Sequence, residues 1–471
     1  MEKLLIYSPG FAKDLLFTIW GIRAKSKRYG KYYKESIKFL RESEKWNREK
    51  LFEYQKEMLR KLFVEAFKCS EYYHAIFKKM GISILDIKKD NPFNILSTFP
   101  ILEKDFLRNN LDLISNKCRK TFVHSKTSGT TGSPLLIPFD KKSWQFGFAL
   151  QRRIYDWAGL PENFKVARFT GHFFISKYDL HLKRYWVTDY ANGRLFMSTY
   201  HLNEKTIQYY VEKLNKFRPN LVEGYPSSIY ILAKLIKRNK LKLNFDLYAV
   251  ITTAETLLDI YRDTIEEVFN TKVIDQYASS EGAPVIAQCR YGKMHMFVES
   301  GIIEFLDLKK KDEDNIIDRK TVAKEGVVTS FANWKVPLIR YRIGDTFLVE
   351  DIKTFKKCKC GVDMPYVIKI LGRINDIVYT PDRGYISIAT ELIFKHLYGK
   401  NIKSAQIIQK TPKDFVFKIV PEANFSELDI KSIIKKSKQV LGNVNVKIDL
   451  VNHIPIYGAG KYRAVIREFD I

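Results

Sequence analysis

Between residues 30 and 82 apolar side chains recur three and four positions apart, through Trp46, Leu51, Tyr54, Met58, Leu59, Leu62 and Phe63, on a background of Glu and Lys. That spacing predicts helix. Pro92 and Pro100 interrupt it, and residues 141–157 restore it from Trp144 to Trp157. From about residue 165 the pattern changes. Short apolar runs at 166–170, 221–225, 249–253 and 271–277 alternate with helical stretches at 203–216, 227–238 and 256–269. Strand alternating with helix predicts crossover units and a largely parallel sheet. Ligands of such sheets bind beyond the carboxyl ends of the strands. After residue 300 shorter strands are expected, at 301–305, 326–330 and 347–349. The tail from about 376 mixes strands and helices, as a small α+β lobe of roughly a hundred residues would. The expected fold class is therefore α/β: a large N-terminal domain with mixed and parallel sheets, followed by a small α+β lobe.

Composition adds bounds. At 471 residues and 45% hydrophobic content the chain can fill two or three domains. It shows no internal repeat and no long low-complexity linker. The net charge of +27 would suit a nucleic acid, an anionic lipid or a phosphorylated ligand. The lysines are scattered among Ile and Asn along the whole chain, and no zinc finger, helix-turn-helix or RNA-binding signature appears, so no nucleic-acid partner is expected.

The charge is more pointed in residues 1–34, where eight Lys and Arg face only Glu2 and Asp14 and aromatic and aliphatic residues interleave. Such a segment can lie on an anionic membrane face. An ordinary cap helix packed on the main domain is the favoured alternative. The apolar run Leu15–Ile22 is short and preceded by Lys13 and Asp14, so this segment is not expected to act as a secretory signal, and no run of transmembrane length is expected. The expected location is cytoplasmic, with peripheral contact at the inner membrane face left open. Five cysteines, odd in number and unevenly spaced, argue against a disulfide framework.

Chemistry concentrates in a few loops. Residues 126–134, Lys-Thr-Ser-Gly-Thr-Thr-Gly-Ser-Pro, crowd hydroxyls and glycines between apolar flanks. Free N–H groups, hydroxyls and close backbone approach suit phosphate oxygens. No Gly-Lys-Ser/Thr ending follows, so this is not a Walker A loop, and a polar hairpin turn is the alternative. Glu223-Gly224-Tyr225-Pro226, Thr253-Ala254-Glu255 and Ala278-Ser279-Ser280-Glu281 all fall at expected strand ends. Tyr277 and Glu281 add an aromatic and a carboxylate suited to magnesium. Tyr341-Arg342-Ile343-Gly344-Asp345 places an acid after a tight glycine turn, fit for vicinal ribose hydroxyls. Gly372-Arg373 follows, and Gly458-Ala459-Gly460-Lys461 carries a lysine on a glycine-rich loop.

Taken in order, these motifs resemble those of the adenylate-forming superfamily of acyl-CoA synthetases and adenylation domains. Gly224-Tyr225-Pro226-Ser227-Ser228, the stretch from Gly372-Arg373 to Pro381-Asp382 with Ile393-Phe394-Lys395, and Gly460-Lys461-Tyr462-Arg463 are similar to the phenylacetate-CoA ligase branch. Within it the likeness is nearest to the CapK-type members associated with capsule and surface polysaccharide. The resemblance implies a ligase that joins a carboxylate to the α-phosphorus of Mg2+-ATP, releases pyrophosphate, and passes the acyl group to CoA or to an amine or hydroxyl, such as that of a sugar. It implies that Thr127, Ser128, Gly129, Thr130, Thr131 and Gly132 hold the β- and γ-phosphates. Ser280 would touch the α-phosphate and Glu281 would bind magnesium. Tyr277 would stack on adenine beside Thr253-Ala254-Glu255, Asp345 would hold the ribose, and Arg373 would lie against ribose or phosphate. Lys461 would bridge the reacting groups. The resemblance further implies an adenylation domain over 1–374, including the basic helical segment 1–82, and a mobile lobe over 375–471, with Asn375 at the hinge where an acid is usual. Ser133 and Ala278 also depart from the common residues, lysine and glycine.

Cys289 and His295, with Cys358 and Cys360, make two pairs of soft ligands that would suit a structural Zn2+ of Cys3His type. Buried unpaired thiols and a core histidine are the alternative. Phe169, His172, Phe173, Phe174 and Tyr225 are candidates for the acyl pocket. A catalytically degenerate ligase fold, serving as a scaffold of membrane-associated glycan assembly, is the competing functional class. The presence of Glu281, Asp345 and Lys461 counts against it.

Overall fold

A computed structural model of the chain describes residues 10–126, 135–170, 174–307, 316–318, 321–350, 357–373, 378–381, 384–386, 401–454 and 465–468. The helical period of the first third resolves into Lys31–Ser43, Arg48–Cys69 and Glu71–Lys79. Asn47 and Ser70 begin the second and third of these, their side chains accepting from Lys50 N and Tyr73 N, as capping residues do. The stripe Leu59, Leu62, Phe63 and Ala66 is fully buried against Tyr73, Phe77 and Phe99, and the Tyr73 hydroxyl reaches Pro337 O at 2.7 Å. The helix Lys141–Trp157 matches its expected span. Its Arg153 donates to Glu299, to Ser43 Oγ and to Leu40 O, fastening the first helices to the body through a buried ion pair.

Nine strands form the main sheet. At its centre Arg194–Ser198, Val166–Thr170, Leu221–Gly224, Ala249–Thr252 and Val273–Tyr277 lie side by side and parallel. Helices Ile207–Phe217, Pro226–Arg238 and Asp259–Phe269 supply the crossovers. These central strands bury Val166, Ala167, Leu195, Met197, Val222, Val250 and Val273, as strands covered on both faces do. Antiparallel strands extend both edges: Trp186–Asp189 on one side, and Ile286–Gln288, Met294–Met296 and Tyr366–Val367 on the other.

A second, antiparallel sheet holds Gly301–Leu306, Thr321–Ser330, Tyr341–Glu350 and Lys369–Arg373. Here the expectation of shorter strands fails, because Thr321–Ser330 and Tyr341–Glu350 each run ten residues. Glycine concealed the continuity. A Cβ on Gly326 would sit 2.4 Å from Phe347 Cε2, so the strand passes the ring only without a side chain. A third sheet joins Asn445–Leu450, Asp414–Pro421, Ile402–Gln409 and Val465–Arg467, with helix Glu427–Leu441. Glu422 of this unit pairs with Lys234 and Arg238.

The cysteine expectation is also corrected: Cys69 and Cys118 form a disulfide. Ser70 Oγ bonds Ile114 O at 2.9 Å, and Lys117 N bonds Cys69 O at 2.7 Å. Those contacts bring the two cysteines together, and the odd total and uneven spacing of the five gave no sign of the pairing. Among the described residues no helix is long and apolar enough to cross a membrane.

Candidate functional site

Three neighbouring parallel strands end in the three loops singled out above. Gly224 closes the first, and a Cβ there would lie 2.7 Å from Phe169 O; only glycine allows the two strands to approach so closely. The next loop is tied to it by Thr253 N donating to Gly224 O at 3.1 Å. Ala254 adopts φ +67°, a left-handed conformation that costs a residue with a Cβ and tends to gather at functional sites. The turn it makes carries the Glu255 carboxylate to Ser227 N, 3.2 Å away, at the start of helix Pro226–Arg238. Negative charge is favourable at that end of a helix.

The third strand delivers Tyr277, whose hydroxyl donates to Asp345 Oδ2 at 2.6 Å. Phe347 packs edge-on against the tyrosine ring. Burial, followed by the charges of Asp345 and Glu281 and the hydrogen bond itself, holds the phenol well above its usual pKa. It is therefore a fixed neutral donor. Asp345 is not in a turn, as the glycine before it suggests, but in the middle of a long strand. Gly344 takes φ +80° there, and the register with the neighbouring strand shifts between Glu325 and Val327. The extra residues form a bulge, a device that re-aims side chains. Across the other neighbour, Asp345 pairs with Arg373.

Glu281 is buried, with Lys104 Nζ 3.8 Å from its carboxylate. Gly282 follows at φ +91°. Asn333 fixes this turn: its Nδ2 reaches Pro138 O at 3.2 Å and Glu281 O at 3.5 Å, while its Oδ1 accepts from Lys335 N and Val336 N. Pro138 belongs to Leu136–Phe139, which pairs antiparallel with Val123–Lys126, so one amide holds both the Glu281 turn and the base of the Thr/Gly hairpin. Ser280 is half-buried beside it. Thr127, Ser128, Gly129, Thr130, Thr131, Gly132, Asn375, Lys461, His172 and Phe173 lie outside the described residues, as does the side chain of Arg373. Lys104 and Asn333 escaped the sequence reading. Lys104 sits among alternating charges, and a lone Asn before Trp334 carries no pattern.

Two of the expected acyl-pocket residues have other roles. Phe169 is buried in the main core against Tyr210, and Phe174 packs on Phe17 of the first helix.

The two cysteine stretches do meet. The ligand atoms of Cys289, His295, Cys358 and Cys360 all lie within 4.8 Å of one another. Cys289 Sγ and Cys358 Sγ are 3.8 Å apart, and Cys360 Sγ is 3.3 Å from His295 Nε2. A tetrahedron with Zn–S bonds of about 2.3 Å has edges near 3.8 Å. Met364 O lies 2.9 Å from His295 Nδ1; a proton held there leaves the Nε2 lone pair toward the thiols, the outer support usual for a metal-bound histidine. Gly292 at φ +83° and Gly361 at φ +90° make the two tight turns. Burial, with the neighbouring thiols, pushes Cys360 up to about 12.

Residues 378–468 match the CapK C-terminal domain. The chain is 29% identical to Protein CapK of Staphylococcus aureus over 98% of each chain. It is 25% identical to phenylacetate-coenzyme A ligase of Thermus thermophilus, over 70% of this chain and 72% of that one. Among solved structures, 2-hydroxyisobutyryl-CoA ligase in the postadenylation state, in complex with an acyl-AMP, superposes with a TM-score of 0.68 at 18% identity, over 90% of this chain and 91% of that chain. The resemblance to the CapK branch of the adenylate-forming superfamily thus holds over nearly the whole length, and the fold is that of its CoA ligases.

Proposed function

We propose, taking this CapK-like ligase fold as the premise, that the chain activates a carboxylic acid with ATP. The observation that carries the reading is the Tyr277–Asp345 hydrogen bond beside Arg373. It unites three sequence motifs at the end of the central strands, where nucleotides bind in such folds. Tyr277 would present an aromatic face to a purine, Asp345 would offer a carboxylate suited to vicinal ribose hydroxyls, and Glu281 supplies one buried carboxylate. A single carboxylate with neighbouring hydroxyls suits Mg2+, which takes one or two protein carboxylates and completes its shell with phosphate oxygens and water. Magnesium would neutralise charge on the phosphates. The Thr127–Gly132 loop would orient them, and Lys461 would bring the carboxylate to the α-phosphate. Chemistry of this kind is mostly positioning and charge neutralisation.

The second half-reaction in this reading transfers the acyl group to CoA, or to an amine or hydroxyl acceptor such as a sugar of a capsule or surface-polysaccharide precursor. The lobe from residue 375 onward would turn about Asn375 between the two steps. Zinc at Cys289, His295, Cys358 and Cys360 would be structural, since four protein ligands leave no open position.

The test is carboxylate-dependent exchange of pyrophosphate into ATP over a panel of aryl, acyl and amino acids, with Asp345→Ala and Lys461→Ala alongside. Exchange with one acid, lost in both variants, is the expected result. Folded protein that fails to bind Mg2+-ATP would overturn the reading in favour of a scaffold.

A further inference from the structure

The first helix is amphipathic the wrong way round for a helix in water. Its protein-facing stripe runs through Gly10, Lys13, Asp14, Thr18 and Gly21, at helical spacing, with Phe17 beside it packed on Phe174 and Phe196. Lys13 is fully buried, paired with Asp179 and bonded to Phe174 O at 3.0 Å. Asp14 accepts from Arg184 Nη2 at 2.5 Å and from Thr188 N at 2.7 Å, and Thr18 Oγ1 accepts from Tyr190 N at 3.1 Å. Gly21 lies so close to Asp189 that an added Cβ would fall 2.2 Å from its carboxylate. The polar face is thus consumed by the protein. The outward face carries Phe11 at 77% exposure, Leu15 at 60% and Ile22 at 56%, with Leu16, Ile19 and Trp20 beside them.

Exposed apolar surface of this extent marks an interaction site rather than an ordinary solvated helix. The buried ion pairs fix its direction, so the helix cannot roll to hide it. Its charge identifies the occupant. The only acid in the helix, Asp14, is buried, whereas Arg23, Lys25 and Lys27 are exposed in and before the last turn. Trp20 lies between the aliphatic stretch and these cations, where amphipathic rings meet the headgroup level of a bilayer. The short helix to which Lys13 is bonded also exposes Tyr178 and Leu180.

We infer that helix Gly10–Arg28 seats this protein on an anionic lipid bilayer, lying flat in the interface with its apolar face in the acyl boundary and its final cations on headgroup phosphates. Apolar burial and electrostatic attraction act together in such anchors. The inference is independent of the ligase reading.

Sedimentation of the full chain with vesicles of equal phosphatidylglycerol and phosphatidylcholine, against phosphatidylcholine alone, tests it. The protein should partition onto the anionic vesicles. Leu15→Ser/Ile19→Ser should weaken partition by about tenfold or more. Lys25→Glu/Lys27→Glu should weaken it at low salt, with the difference shrinking as salt rises. All four side chains are exposed, so both variants should keep the parent's thermal midpoint. Three results would overturn the inference: protein remaining in the supernatant, a serine variant that binds as the parent does, or a parent dimer that the serine variant splits, which would assign the face to a second copy.

Discussion

Tyr277 and Asp345, 68 residues apart, share a 2.6 Å hydrogen bond between a neutral phenol and a carboxylate. A hydrogen bond to a charged group is worth about 1.5–3 kcal/mol. Tyr277→Phe should therefore lower unfolding free energy in urea by roughly that amount. Asp345→Asn, which keeps an acceptor, should lose less. Under the proposed function both should also weaken Mg2+-ATP binding, measured by calorimetry.

Asn333 is fully buried and has partners on both ends of its amide. Asn333→Ala leaves the Pro138 carbonyl and two backbone N–H groups without it, at a cost of about 1–3 kcal/mol for each buried group left unsatisfied. Denaturation should show several kcal/mol of destabilisation. Asn333→Asp should rescue little, because it restores the acceptor and not the donor.

Asp275 carries a pH dependence. Burial raises its pKa from 3.8 to about 6, against the opposing hydrogen bond from Thr252. The folded protein then holds this proton more tightly than the unfolded chain. Its stabilising effect is full below pH 3.8 and is lost as pH rises through about 6. Above that pH the half-buried carboxylate costs on the order of 3 kcal/mol. Asp275→Asn keeps the acceptor for Thr252, so it should raise stability at pH 7–8 and flatten this part of the stability profile between pH 4 and 6.

Metal analysis of protein purified without chelator should find one zinc per chain if the Cys289, His295, Cys358 and Cys360 set closes as its distances suggest. Cys358→Ser should bind less, and removal of the metal should lower the melting temperature on the order of 5 °C, the shift expected for a few kcal/mol in a chain of this size. Metal-free protein of unchanged stability would leave the cluster as packed thiols.

Much of the fold was legible because period and burial coincide: the helix at 141–157 and the strand at 166–170 fall at the predicted positions, each with the apolar spacing its element requires. The family resemblance implied one nucleotide site for Tyr277 and Asp345, whereas the bulge beside Asp345 could not be foreseen, since Gly344 in a strand reads like Gly344 in a turn. Cys69 with Cys118 shows the same gap, because the contacts of Ser70 with Ile114 and of Lys117 with Cys69 that join them are long-range and leave no local pattern. Phe169 and Phe174 went wrong in the opposite sense, because an aromatic beside a site motif looks the same whether it faces ligand or core. Asn333 and Lys104 each act through one isolated side chain, which leaves no period at all.

The pairing of Lys13 with Asp179 spans 166 residues, and synthesis proceeds from the N-terminus at about 5–20 residues per second. The first helix therefore leaves the ribosome on the order of ten seconds before the acid that neutralises its lysine exists. During that interval its polar stripe has no protein to meet. A nascent chain would carry an unsealed segment, open to chaperones or proteases, until residues 174–190 arrive. Substitution of Asp179 should thus show first as poor yield from translation, before any defect appears in the protein that does fold.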